Sequence, residues 1–310
     1  MRERHVLSCG LPVLPQRDER PVLTISTDTP AMDADPYAAV ADVVLGSLRT
    51  GDTVLAVIPS WDREPNFVRL QAVRSALETT HLVFHHTALP PLAAGALVSQ
   101  LAHLAVDTRL TTVDWLRAAE LLEERTCAAA WLGSVANLEH PAPPLSLHAR
   151  SWARLGAFAA IVDDDPRVVA LKKGASMPLP ADVEGAHAIM GVGEGDVAAV
   201  ERSLAGTVSG VTKVRTDDIS HRHWGTDKLV DLAFAPADLE GLVQHLVTTR
   251  PTARCRWCDA PVAGEVCAFC TMRHTPDGDE PVVHATVTSS NSSTPAPPVP
   301  PTTDLAGGPA

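Results

Sequence analysis

The chain has 310 residues, 45% of them hydrophobic, and a formal net charge of −12 at pH 7. That length and apolar fraction allow one large or two ordinary domains with a sizeable core. The negative charge excludes wrapping of a nucleic-acid backbone by the chain as a whole.

The charged start, Met1 to His5, leads to only Val6 and Leu7 before Ser8 and Cys9, too short an apolar run for a signal peptide. No segment approaches the roughly 20 apolar residues that cross a bilayer, so no membrane is expected. With only Cys9 and Cys127 outside one tight cluster, the cysteines do not form a spread disulfide framework, and a reducing cytoplasm is expected. Lys172, Lys173, Lys213 and Lys228 are the only lysines, and no function is drawn from that.

Residues 1–19 are read as an N-terminal extension. Val22 to Ile25 forms a short apolar strand, and Asp35-Pro36 places an N-cap and a proline at the start of a helix carrying Tyr37, Val40, Val44 and Leu48. Val54 to Ile58 is a buried strand, Pro65 opens a helix through Phe67, Leu70, Val73 and Leu77, His81 to Phe84 is a third strand, and Leu92 to Leu104 a third helix. Strands and helices alternating at this length imply βαβ units, hence a parallel sheet with covered faces over residues 20 to about 107. Val113 to Glu124 adds a helix and Cys127 to Val135 an apolar run, before Pro141, Pro143 and Pro144 interrupt the chain.

The second half is less regular. Strands are expected at Val168 to Leu171, Ala186 to Met190, Val211 to Val214 and Leu229 to Phe234, with helices at Val197 to Leu204 and Leu239 to Val247. The expected class is α/β: an α/β domain at 20–140, a second α/β or α+β domain at 141–250, a cysteine module at 251–275, and a tail at 276–310. From Pro276 onward, eight prolines and four acidic residues with no Lys or Arg predict a disordered Pro/Ser/Thr-rich tail.

Cys255, Cys258, Cys267 and Cys270 are spaced C-x2-C-x8-C-x2-C, two thiolate pairs of the kind a tetrahedral Zn²⁺ site requires. Cys255-Arg-Trp-Cys258 and Cys267-Ala-Phe-Cys270 resemble the short zinc-ribbon family over residues 253–273, which implies bound Zn²⁺ and two knuckles clasping it. That family commonly has glycine after each knuckle's second cysteine, because the turn favours φ > 0. Asp259 and Thr271 occupy those positions here, which raises His274 as an alternative ligand. Arg250, Arg254, Arg256 and Arg273 make the segment locally basic, so nucleic-acid contact is possible, while Trp257 and Phe269 fit either a small core or a protein-docking surface.

Parallel sheets bind ligands beyond the carboxyl ends of their strands. Asp28, Asp62, Glu64, His85 and His86 fall there and could ligate a metal or supply a general base, or simply cap the following helices. Asp217, Asp218, His221 and His223 form a second polar group in which the histidines share a face if the segment is extended. Asp163 to Asp165 read as a turn. Gly191-Val-Gly193-Glu-Gly195-Asp196 reads as a glycine turn with Asp196 as N-cap rather than a phosphate loop.

Two functions follow. The first is a cytoplasmic zinc-binding interaction or assembly component whose ribbon and tail engage a protein partner. The alternative is a metal-assisted hydrolase or related enzyme with its site at the strand ends, the ribbon being a staple. Local nucleic-acid contact by the ribbon is a second alternative.

Overall fold

Strand β1 (Arg4–Cys9) lies inside a four-stranded parallel sheet of order β2-β1-β3-β4, with β2 (Leu23–Ile25), β3 (Thr53–Pro59) and β4 (Leu82–Thr87). The computed structural model describes residues 3–12, 14, 22–25, 36–48, 52–61, 65–153, 156–262 and 264–273. Residues 4–9, expected as part of an extension, are thus an interior strand in which Leu7 pairs with both Leu23 and Ala56. Their signal is weak because only Val6 and Leu7 are strongly apolar. Neighbouring strands bury Ser8 and Cys9 all the same.

All seven residues of β3 are buried, as the continuous run TVLAVIP demands of a strand covered on both faces. Val54, Ala56 and Ile58 join Leu70 and Val73 of α2 (Pro65–Ala76) and Val44 of α1 (Pro36–Leu48). Leu55 and Val57 face the opposite way, toward α3 (Pro91–Ala105) and α4 (Thr112–Glu124).

The second sheet is mixed, of order β7-β6-β5-β10-β8-β9. It comprises β5 (Cys127–Leu132), β6 (Ala157–Val162), β7 (Arg167–Leu171), β8 (His187–Val192), β9 (Gly210–Arg215) and β10 (Leu229–Ala235). Only β8 and β9 pair in parallel. Its helices are α5 (Leu145–Trp152), α6 (Val197–Leu204), α7 (Asp218–Trp224) and α8 (Leu239–Thr248). The architecture is therefore α/β, with a parallel sheet followed by a second sheet, as the alternation of strands and helices implied. β5 belongs to the second sheet, so the expected division at 140 falls between that strand and its partners. The expected tail at 276–310 lies outside the described residues.

Helix α3 packs on β1 of the first sheet and on β10 of the second. Its sequence PLAAGALVSQLAHLA is small and apolar on almost every side, the pattern of a helix buried all round. Arg4 ties its C-terminal end to β1: Nε donates to Ala105 O at 2.8 Å, and the guanidinium also reaches the carbonyls of Asp107 and Leu110, each at 2.6 Å. A cation placed there satisfies carbonyls that the helix end and the turn beyond it leave free, and complements the helix dipole. Trp115 of α4 donates its indole N–H to Leu101 O at 2.9 Å, fastening the two helices inside the core.

At Gly95 an added Cβ would meet the backbone oxygen of Pro12 at 2.7 Å. Helix propensity alone favours alanine by about 1 kcal/mol, but forcing a methyl against main chain costs about 1–3 kcal/mol. Gly95→Ala is expected to lower unfolding stability in urea. A variant at least as stable as the parent would show that the α3 approach is not this tight.

Candidate functional site

The carboxyl ends of β1 and β3 open toward α7 and the loop after β5, leaving a cleft of about 380 Å³ lined by Gly10, Trp61, Asn137, His140, Arg222 and His223, among others. The crevice beyond parallel strand ends is where α/β sheets place ligands, and here the second sheet supplies the opposing wall. Trp61 is fixed by donating Nε1–H to Leu89 O at 2.9 Å, and its ring meets His223 edge-on with centroids 5.3 Å apart. His223 in turn lies edge-on to Trp224 at 5.0 Å. Gly225 ends α7 at φ 66°, where an added Cβ would meet Asn137 O at 2.5 Å, so this turn admits glycine alone and brings the 137–140 loop against the helix.

Burial, with a smaller contribution from the charge of His140, pushes the His223 imidazole down to about 4, so it is neutral at pH 7. Arg222 is exposed at the rim and supplies a permanent cation. The cleft can therefore offer a carboxylate the Arg222 guanidinium and the neutral His223 imidazole, on a lining that also carries Glu139. The apolar cluster containing Leu11, Leu89 and Leu92 adjoins it through Trp61.

Behind α7 lies Asp231 of β10, fully buried, and neither carboxylate oxygen makes a hydrogen bond of good geometry among the described residues. Burial pushes its carboxyl up to about 7, although Trp224 and Ser220 favour the anion, and the charge of Asp217 adds to the rise.

The sequence-derived candidates are distributed differently. Asp28, Asp62 and Glu64 lie outside the described residues. His85 and His86 point to opposite faces of β4, as successive strand residues must. His85 Nε2 meets Glu123 Oε2 at 2.6 Å, and Glu123 Oε1 also accepts from Thr87 Oγ1 at 2.9 Å and Ala88 N at 3.1 Å, so His85 helps pin the end of β4 to α4. Burial raises the Glu123 carboxyl, but His85 and the other two donors outweigh it and hold the group below its ordinary value. His86 lies against the Phe67 ring at 4.8 Å, and burial lowers its basicity, with His85 adding to the effect.

Asp218, His221 and His223 are helical, not extended. Asp217 caps α7 by accepting from Ser220 N at 2.8 Å. His221 turns toward Thr226 O and Asp227 while His223 enters the cleft, so the two histidines do not share a face. Of the four, only His223 belongs to the site. Its signal was the Trp-Gly pair that follows, which ends the helix, but nothing local announces contact with a tryptophan 162 positions earlier in the chain. Asp163 accepts from Asp165 N and Arg167 in the turn between β6 and β7, and Asp196 caps α6 through Ala199 N.

The four clustered cysteines offer Sγ atoms within 4.8 Å of one another. Asp259 and Thr271 sit at φ 58° and 61°, the left-handed positions expected after each knuckle, with Asp259 N and Thr271 N donating to Cys255 O and Cys267 O. Thr271 adopts this conformation despite its branched side chain. His274 lies outside the described residues. Cys255, Val262, Cys267 and Phe269 are buried in the same apolar cluster as α3 and α4, and Arg74 of α2 donates to Phe269 O. Phe269 thus faces inward, and Trp257 is the exposed aromatic. None of the six cysteines is in a disulfide.

No family model matches the sequence, and no curated protein matches it. Solved structures share the fold. A DegV family protein of Corynebacterium glutamicum superposes with a TM-score of 0.56 at 15% identity, covering 76% of this chain and 97% of its own. A stearic acid-binding protein of Eubacterium ventriosum gives 0.54 at 13%, covering 76% and 98%. A protein of Thermotoga maritima with fatty acid binding function gives 0.51 at 10%, covering 76% and 100%.

These likenesses correct the functional expectation. The structures that share this architecture are fatty-acid-binding or DegV family proteins, not zinc-ribbon assembly components, metal-assisted hydrolases or nucleic-acid binders. Zn²⁺ as the protein's cofactor, and zinc and zinc ribbon as its defining terms, are corrected on the same finding. The packing bears on the docking role: the knuckles bury Phe269 against the body and so serve as part of its core.

Asp231 and His223 give opposite pH dependences. The unfolded chain holds fewer protons than the fold at Asp231 between pH 3.8 and about 7, so this residue erodes stability as pH rises through that window. His223 acts the other way, its neutral burial costing stability as pH falls from 6.5 toward about 4. Asp231→Asn is expected to match wild type near pH 4 and to exceed it by about 2–4 kcal/mol above pH 7, read by urea unfolding at both ends. An equal difference at the two pH values would contradict the buried-acid assignment.

Proposed function

We propose that this chain binds a long-chain fatty acid in the cleft between the strand ends of the first sheet and α7. The observation that carries the reading is the cleft itself. It opens beyond parallel strand ends, has one guanidinium at its rim, and adjoins the Leu11, Leu89 and Leu92 cluster. Its volume, about 380 Å³, falls within the roughly 300–1,000 Å³ of small-molecule sites. The fatty acids bound by structures of the same fold support the ligand class.

Arg222 would pair with the carboxylate, while the neutral His223 imidazole and the His140 ring flank it. Trp61 would wall the first part of the acyl chain, whose further burial contributes about 0.8 kcal/mol per methylene. The protein would act in the cytoplasm. Cysteines without disulfides fit a reducing compartment, and no described helix is long and apolar enough to cross a membrane.

Titration of delipidated protein with oleate tests this. Binding is expected to weaken about tenfold or more in Arg222→Ala. His223 should contribute no change in binding from pH 6 to 8, because it is already neutral throughout that range. Absence of binding for saturated and unsaturated acids of 14–18 carbons would overturn the proposal, and undiminished binding by Arg222→Ala would displace the carboxylate from the rim.

A further inference from the structure

Away from that cleft, the second sheet carries a broader depression of about 1260 Å³ at the opposite end of β6 from the β6–β7 turn. Three of the chain's four lysines, Lys172, Lys173 and Lys228, line it together with Arg150. In a chain of net charge −12, four cations lining one concavity are a local concentration of positive charge. The fourth lysine, Lys213, is paired with Glu201. Lys172, Lys173 and Lys228 form no ion pair among the described residues.

The fold holds these groups in place. Lys172 and Lys173 follow the end of β7 in a turn closed by Ala175 N donating to Lys172 O, with Gly174 at φ 76°. Lys228 precedes β10, and its carbonyl accepts from Gly133 N at 2.8 Å. Gly133 makes room for it, since an added Cβ would meet Lys228 Cβ at 2.6 Å. Arg150 lies at the end of α5, its Nη2 3.5 Å from where a Cβ on Gly156 would be. Beside it Trp152 is 73% exposed, with the His148 ring tilted 38° to it at a centroid distance of 6.2 Å.

Three carboxylates also line the depression. Asp196 is engaged as the cap of α6, and Asp227 is 92% exposed and 4.0 Å from His221 Nδ1. Glu194 remains as an exposed acid among the cations.

We propose that this depression binds a small oligophosphate, free or carried by a nucleotide, through Lys172, Lys173, Lys228 and Arg150, with Trp152 as a stacking surface beside them. Ammonium and guanidinium groups at several points around a concave site suit an anion with several phosphate charges better than a single carboxylate. An exposed indole adds a flat face on which a base can stack without sequence-specific hydrogen bonds.

Calorimetric titration of the full chain with tripolyphosphate, ATP and adenosine, at low ionic strength and without divalent metal, tests the proposal. Tripolyphosphate and ATP are expected to bind, with affinity falling as salt rises, and adenosine is not. A Lys172→Ala/Lys173→Ala double variant should weaken both by about tenfold or more. These side chains are exposed, so its thermal unfolding should match the parent. Glu194→Gln should tighten both ligands, a change that loss of folding cannot mimic. Trp152→Ala separates the sources: a selective loss for ATP identifies a nucleotide, and no change identifies the oligophosphate alone. Failure of both anions to bind at millimolar concentration, adenosine binding as tightly as ATP, or undiminished binding by the double lysine variant would overturn it.

Discussion

The structure depends on one helix being narrow enough to serve two sheets. α3 meets β1 on one side and β10 on the other, and its run of alanines around Gly95 lets backbones approach where larger side chains would hold them apart. Dispersion and burial then act on both sides of the helix at once. Arg4, the first residue of β1, closes the arrangement by taking the carbonyls at the far end of α3 and the turn beyond it.

That arrangement brings α7 and the 137–140 loop, which belong to the second sheet, over the strand ends of the first. The cleft is consequently made of pieces distant in sequence. Trp61 follows β3, and His223 sits near the end of α7. The low dielectric produced by this packing sets the electrostatics too, keeping His223 neutral and pushing Asp231 toward its acid form. A neutral imidazole beside an exposed guanidinium leaves Arg222 as a permanent positive charge on a lining that also carries Glu139.

The strong local patterns were readable. Pro36 and Pro65 open helices α1 and α2, the continuous apolar run of β3 reports a strand covered on both faces, and Asp196 caps the helix it precedes. Asp259 and Thr271 hold the positive φ that the zinc-ribbon resemblance implied for the residue after each cysteine pair. Strand β1 was missed since its burial comes from neighbours on both sides and not from an apolar run of its own. The pairing of His221 with His223 failed because the segment is helical, and a period of 3.6 separates residues that a period of 2 would align.

By itself the sequence determined the class of the fold, the cysteine spacing and the rarity of lysine, all properties of composition or of residues within one or two turns of each other. Which polar residues meet was decided only by tertiary structure. His85 turned toward Glu123, His223 toward Trp61, and Lys172 and Lys173 toward the same depression as Lys228, over separations of 38, 162 and 55 positions. Local propensity acts over a few residues, whereas a site at the junction of two sheets is fixed by the packing of α3 between them. Chemical identity could be read along the chain, and chemical neighbourhood could not.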